Sequence, residues 1–148
     1  MVILMQSKKF YLAGAMSGLS QAEQGNWRYE VSKRIEDGNS IYGYEYEPDV
    51  FNPIIYYNMF EEVHKSDKEH FEFDLHNLRN SDVVIVNFNE PKSIGTAMEL
   101  AVAHENRIPV IGLNEDGKEL HPWLKESVLR MCDNMDELIE HIALYYLS

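Results

Sequence analysis

The sequence predicts an α/β fold built on a parallel sheet. Two runs carry that prediction. Asp82-Val83-Val84-Ile85-Val86-Asn87-Phe88 and Ile108-Pro109-Val110-Ile111-Gly112-Leu113 are almost continuously apolar, the pattern of strands covered on both faces. Stretches of helical periodicity lie around them, and strands alternating with helices imply parallel pairing through crossovers. The chain has 148 residues, 45% hydrophobic and 26% charged, enough for one domain with its own core. No repeat, low-complexity segment or boundary divides it, so a single domain over residues 1–148 is expected.

Taken in order, Phe10-Tyr11-Leu12-Ala13 reads as a short strand closed by Gly14 and a loop to Gly18. Residues 20–37 read as a helix carrying Trp27, Tyr29, Val31 and Ile35. Residues 38–66 are rich in Tyr, Asn, Asp and Pro and are the least regular part, with a strand near Val50; a long irregular stretch in a compact domain is often a functional loop. Residues 67–80 read as a helix, followed by the first apolar strand. Residues 93–103 read as the next helix and lead to the second apolar strand. Residues 122–130 and 134–146 read as helices.

Charge and composition narrow the function. A net charge of −12 leaves no basic stripe to release counterions from DNA or RNA, which argues against a nucleic-acid polymer as partner. Cys132 is the one cysteine, so no internal disulfide forms and a reducing compartment is expected. The apolar opening Met1-Val2-Ile3-Leu4-Met5 is too short for a signal peptide, and no run reaches membrane-spanning length. A cytoplasmic protein with no membrane partner follows. The six histidines form no HxH, HExxH or Cys/His cluster, so no metal site is expected. No GxSxG occurs and Cys132 has no evident partner, so neither serine nor cysteine is a supported nucleophile. The Gly14-Ala15-Met16-Ser17-Gly18 loop lacks GxGxxG and GK[ST], although as a strand-to-helix turn it brings backbone N–H groups toward a ligand.

Two carboxylates stand out. On a helix, Glu99 shares a face with Gly95, Thr96, Val102 and Ala103, all small or apolar, so it points into a tight, partly dry space. An acid there costs free energy unless it is paired or used. It also lies one turn into a helix at the carboxyl end of a strand, where open α/β sheets place ligands. Asp74 falls within the stripe Phe71, Leu75 and Leu78 rather than opposite it. It is either an acid at the stripe's edge, capping a loop or pairing with Arg79 or Arg28, or the partner of Glu99. Paired carboxylates are what glycosyl chemistry needs. Tyr11, at the end of the first strand, is either a core aromatic or a phenol that orients a nearby carboxylate.

Tyr11-Leu12-Ala13-Gly14, Asp74-Leu75 with Ser81-Asp82-Val83-Val84, and Gly95-Thr96-Ala97-Met98-Glu99-Leu100 occur in this order and at these spacings. Together they resemble the nucleoside 2-deoxyribosyltransferase family, which includes the 2'-deoxynucleoside 5'-monophosphate N-glycosidases. The resemblance runs from Tyr11 to about Trp123. It implies a flavodoxin-like (Rossmann-like) domain with a five-stranded parallel sheet flanked by helices, assembled as a homodimer or higher oligomer. It implies Glu99 as nucleophile, Asp74 as the group handling the proton at the base, and Tyr11 as the residue orienting Glu99. Gly14, Met16, Ser17, Ser93 and Gly95 would contact substrate. His121 and Trp123 match positions that a neighbouring subunit contributes, although Trp123 is equally readable as a core residue.

Two positions depart from the family pattern. Ser93 stands where the transferases commonly have an aspartate and where the monophosphate hydrolases tend to have serine. Ser17 stands where those hydrolases carry an arginine.

The expected reaction cleaves the N-glycosidic bond of a 2'-deoxynucleoside through a covalent deoxyribosyl-Glu99 intermediate, then passes the sugar to a free nucleobase. Hydrolysis of a deoxynucleoside 5'-monophosphate is the alternative, and a non-catalytic nucleotide-binding module is the rival of another class. No cofactor is called for. With Ser17 in the glycine loop and a net charge of −12, few cations are expected near the 5' end, so little dependence on a 5'-phosphate is expected.

Overall fold

The computed structural model describes residues 5–58 and 64–148. The apolar opening at 1–4 and part of the irregular stretch, 59–63, lie outside the described residues. Five parallel strands form one sheet in the order β2-β1-β3-β4-β5. They are β1 (Ser7–Gly14), β2 (Glu47–Phe51), β3 (Val83–Asn87), β4 (Val110–Leu113) and β5 (Arg130–Cys132). The longer helices are α1 (Gln21–Asp37), α4 (Asp67–Arg79) and α5 (Ile94–Glu105). Shorter ones are α2 (Asn39–Tyr42), α3 (Ile54–Asn58), α6 (Pro122–Glu126) and α7 (Met135–His141), the last running into a π-helical turn, Ile142–Tyr146. This is the flavodoxin-like α/β architecture that the sequence and its resemblance predict.

The alternation of strand side chains decides which helices meet which residues. Phe10, Leu12, Val83, Ile85, Ile111 and Leu113 point to one face, where they pack with Val31 and Ile35 of α1 and with Leu138, Ile139 and Ile142. Tyr11, Ala13, Val84 and Val86 point to the other, against Leu78 of α4, Leu100 and Ala103 of α5, and Leu124 of α6. Tyr11 therefore lies on the face that carries Asp74 and Glu99. Helix starts are set by side-chain caps: Ser20 and Glu23 form a reciprocal capping box at α1, Ser66 caps α4 and Ser93 caps α5. Each satisfies backbone N–H groups that have no partner within the first turn.

The sequence reading departs from the structure in two places. Residues 122–130 do not form one helix. α6 ends at Glu126, and Leu129 donates its N–H to Val110 O at 2.8 Å, which opens the pairing of β4 with the three-residue edge strand β5. So short a strand leaves no alternation to read. The irregular stretch is also more ordered than expected in its described part, where two short helices flank the strand found near Val50. No helix among the described residues is long and apolar enough to cross a membrane.

β1 lies between β2 and β3, with the β3–β4 connection running the other way, so the sheet's switch point is at the carboxyl ends of β1 and β3. Gly14 and Asn87 pair there. Open α/β sheets bind ligands in the crevice outside such a point.

Candidate active site

A cleft of about 710 Å³ opens at that switch point. One wall is the β1–α1 loop, with Gly14, Met16, Ser17 and Leu19. A second is the amino-terminal part of α4, with Asp67, His70, Phe71 and Asp74. The third is the start of α5 with the residues before it: Glu90, Lys92, Ser93, Ile94, Gly95, Met98 and Glu99. The cleft thus gathers seven of the residues singled out in the sequence: Gly14, Met16, Ser17, Asp74, Ser93, Gly95 and Glu99. Tyr11 reaches it from beneath.

The Tyr11 ring is fully buried, and its hydroxyl donates to Glu99 Oε2 at 2.5 Å. Behind it, the ring stacks on Phe51 with centroids 5.5 Å apart and planes 19° apart, and Phe51 stacks in turn on Tyr56. A phenol held this way has little freedom, so it fixes one carboxylate oxygen of Glu99. Asp74 is buried on α4, close enough for its charge to act on Glu99. Burial pushes the Glu99 carboxyl up from its ordinary 4.5 to about 7. The Tyr11 hydrogen bond works against that rise, the charge of Asp74 adds to it, and the charge of Arg28 works against it.

Two glycines matter through the space they leave. A Cβ on Gly14 would lie 2.8 Å from Trp27 Cζ2 and 3.3 Å from Arg28 Nη2, so only glycine lets α1 pack this close to the end of β1. A Cβ on Gly95 would meet no protein atom within 4 Å; that side of α5 is open. Ser93 caps the helix beneath it, accepting from Thr96 N at 3.2 Å and from Thr96 Oγ1 at 3.0 Å.

His121 and Trp123 are not in this cleft. With Ile94, Met98, His104 and Leu124 they line a neighbouring groove of about 750 Å³ on the far side of α5. His121 Nδ1 accepts from Trp123 N at 3.1 Å as the cap of α6. Trp123 is 80% exposed, which overturns its reading as a core residue. Cys132 is buried in β5 and burial pushes its thiol up, consistent with a structural rather than nucleophilic role.

Sequence reasoning missed Lys92 and His70, and named Phe71 only as a stripe residue and Arg28 only as a partner for Asp74. Lys92 stands in the cleft wall beside Ser93, a single cation that sequence reasoning did not name. His70 and Phe71 are readable in retrospect, lying four and three positions before Asp74 and hence on its helix face. Arg28 lies three before Val31 and seven before Ile35, within the buried stripe of α1, the same anomaly that marked Asp74.

The family model described as nucleoside 2-deoxyribosyltransferase matches residues 10–140. Comparison with curated protein sequences finds no match. Among solved structures, a conserved protein from Enterococcus faecalis V583 superposes with a TM-score of 0.76 at 19% identity, covering 93% of this chain and 98% of that one. A 2-deoxyribosyltransferase from Bacillus psychrosaccharolyticus gives 0.67 at 16% identity, covering 88% and 90%. The Clostridium botulinum CMP N-glycosidase BcmB gives 0.62 at 17% identity, covering 93% and 99%. At these identities the likeness establishes the shared fold.

The raised Glu99 carboxyl has a signature in stability. Between its ordinary 4.5 and about 7 the folded chain holds a proton that the unfolded chain has released. Stability from this group is therefore present at low pH and lost as pH rises through that window. Glu99→Gln removes the effect. The stability advantage of Glu99→Gln over the parent should grow by on the order of 2–3 kcal/mol between pH 4 and pH 8, read from urea unfolding midpoints. A difference that stays flat with pH would mean that Glu99 titrates as an ordinary surface acid.

Proposed function

The chain belongs to the nucleoside 2-deoxyribosyltransferase family, and from that membership and the cleft we propose that it cleaves the N-glycosidic bond of 2'-deoxynucleosides by retaining double displacement and transfers the sugar to another base. The observation that carries this reading is the Glu99 carboxylate, held at one oxygen by buried Tyr11 and lining a cleft that Asp74 also lines. In the first step the other Glu99 oxygen attacks C1' as the bond to the base breaks through an oxocarbenium-like transition state. The bonding pair leaves with the base, and Asp74, or a water it orients, supplies the proton. The resulting ester joins the deoxyribosyl group to Glu99. A second base then attacks C1', gives its N–H proton back to the Asp74 side and frees Glu99. If water attacks instead, the outcome is hydrolysis. The open side of Gly95 supports close approach of the sugar to α5.

Lys92 favours a second reading, the 5'-monophosphate N-glycosidase. It is the one lysine or arginine among the described residues lining the cleft, and Ser17 and Ser93 line the same cleft. Together they form a set suited to a phosphate, each charge-assisted hydrogen bond contributing about 1.5–3 kcal/mol. The four carboxylates of the cleft, Asp67, Asp74, Glu90 and Glu99, oppose a dianion and support the unphosphorylated substrate.

Product analysis tests both readings. Deoxyadenosine and dAMP are each incubated with and without free cytosine, and adenine, deoxycytidine and sugar products are separated. Transfer to cytosine supports the first reading. A preference for dAMP above about a hundredfold in kcat/KM, some 2.7 kcal/mol of discrimination, replaces it with the second. Glu99→Ala should lower turnover by about a thousandfold or more without loss of fold; near-normal turnover would refute the mechanism.

Asp74→Asn should slow substrates with poor leaving bases by about a hundred- to ten-thousandfold, while activated leaving groups lose far less. Equal slowing of both would assign Asp74 to binding.

The exposed face of Trp123 and its groove, which shares Lys92, Ser93, Ile94 and Met98 with the cleft, supports a second copy of the chain as the occupant, completing the site as a homodimer or higher oligomer. Light scattering at assay concentration should give at least a dimer, and Trp123→Glu should shift it toward monomer and lower kcat/KM together. A monomer that is fully active would contradict this.

A further inference from the structure

Arg28 is among the largest fully buried side chains of the described residues, at 0% exposure. It comes from α1, whose other buried residues join the core on the opposite face of the sheet from Tyr11 and Glu99. Its guanidinium turns to the carboxyl end of β1. Nη2 donates to Gly14 O at 3.0 Å, Nε to Leu12 O at 3.5 Å, and Nη1 to Gln24 O at 2.6 Å within α1. The ring of Trp27 lies beneath it, 4.7 Å from the guanidinium carbon. Gly14 is itself part of the cleft wall, and Leu12 adjoins Tyr11 in the strand.

We propose that Arg28 is a positioning residue for the reaction: through Gly14 O and Leu12 O it clamps the end of β1 that aims Tyr11 at Glu99. The inference rests on the proposed role of Glu99 as nucleophile. Two features of the environment make the charge matter. A cation enclosed by protein is screened far less than one in water, so its field reaches neighbouring groups. The groups it must offset act on the same carboxylate. Asp74 on α4 and burial both disfavour ionised Glu99, while Tyr11 on β1 and Arg28 on α1 favour it. Across the cleft stand Asp67 and His70 on α4, and Glu90 and Lys92 ahead of α5. Arg28 remains charged throughout the working pH range because guanidinium does not deprotonate in proteins. A lysine at the same depth would be easier to neutralise.

The function also fits the reaction cycle. When Glu99 forms the sugar ester its negative charge disappears, and a buried cation whose charge favours the ionised form then favours return of the carboxylate. Arg28 would therefore assist release of the sugar from Glu99 as well as the first attack.

The test separates this from the reading it rests on by following Glu99 directly. The carboxyl of Glu99 is titrated in the full-length protein by carbon-13 NMR with labelled glutamate, its signal assigned by disappearance in Glu99→Gln. The same titration is run on Arg28→Met, Arg28→Gln and Arg28→Lys, with the fold of each checked by circular dichroism. The pH dependence of kcat and KM is measured in parallel. In the neutral variants the Glu99 midpoint should rise by about one pH unit, a tenfold change in its protonation equilibrium. The acidic limb of kcat should move with it and KM should change little. Arg28→Lys should restore the midpoint only in part, because a buried lysine is easier to neutralise and lacks the second donor nitrogen. A midpoint unchanged in a folded neutral variant overturns the proposal, whatever happens to activity. Failure of both neutral variants to fold also overturns it, because Arg28 would then serve the scaffold alone. A midpoint that moves while turnover is insensitive to Glu99→Ala would leave the electrostatic role of Arg28 intact and refute the nucleophile assignment instead.

Discussion

The cleft is organised by one hydrogen bond between two residues 88 positions apart in the chain, from the Tyr11 hydroxyl to Glu99. It joins the first strand to the helix after the third, and it forms because parallel pairing sets Tyr11 against Val84. Shift β1 by one residue in its own alternation and the phenol would face α1 and α7 instead. The register of the sheet is therefore a condition of the site. What surrounds the bond follows from it: the stacked aromatic column of Phe51 and Tyr56 behind the phenol, the missing Cβ at Gly14, and the short cap of α5 at Ser93.

In the proposed reaction, the opposed influences on Glu99 suit one carboxylate to two states. Burial and Asp74 lift its affinity for a proton; Tyr11 and Arg28 reduce it. A carboxylate far below neutrality would be a weak nucleophile and a good leaving group, and one far above would rarely be ionised. Opposing neighbours bring it near the middle, where attack and departure are both accessible. The balance is local: four groups from three helices and a strand meet there, and none is a sequence neighbour of another.

Much of this was legible in the sequence, for identifiable reasons. β3 and β4 are central strands buried on both faces, so composition alone betrays them. α4 and α5 begin at serines whose side chains cap them, so their starts are sharp. Glu99 and Asp74 stood out because a charged residue within an apolar stripe violates the helix pattern. The same rule, applied to Val31 and Ile35, points to Arg28, and the sequence reading did not extend it that far. β5 was hidden for a different reason: three residues paired through backbone atoms carry no side-chain pattern. Lys92 was hidden because a lysine in a loop is usually solvated, and only the turn between β3 and α5 brings it to the cleft. The outward direction of Trp123 was undecidable from sequence, since Pro-Trp at a helix start fits both a packed and a presented ring.

The first turns of α5 form a thin partition. Lys92, Ser93, Ile94 and Met98 face the Glu99 cleft on one side and the Trp123 groove on the other. A change in the bulk of Met98 therefore reshapes two depressions at once. Under the proposed assembly, mutational drift along this partition is constrained twice over, because a substitution tolerated by one chamber must also be tolerated by its neighbour. Variation that alters only one of them has to arise elsewhere, on the α4 wall or on α6.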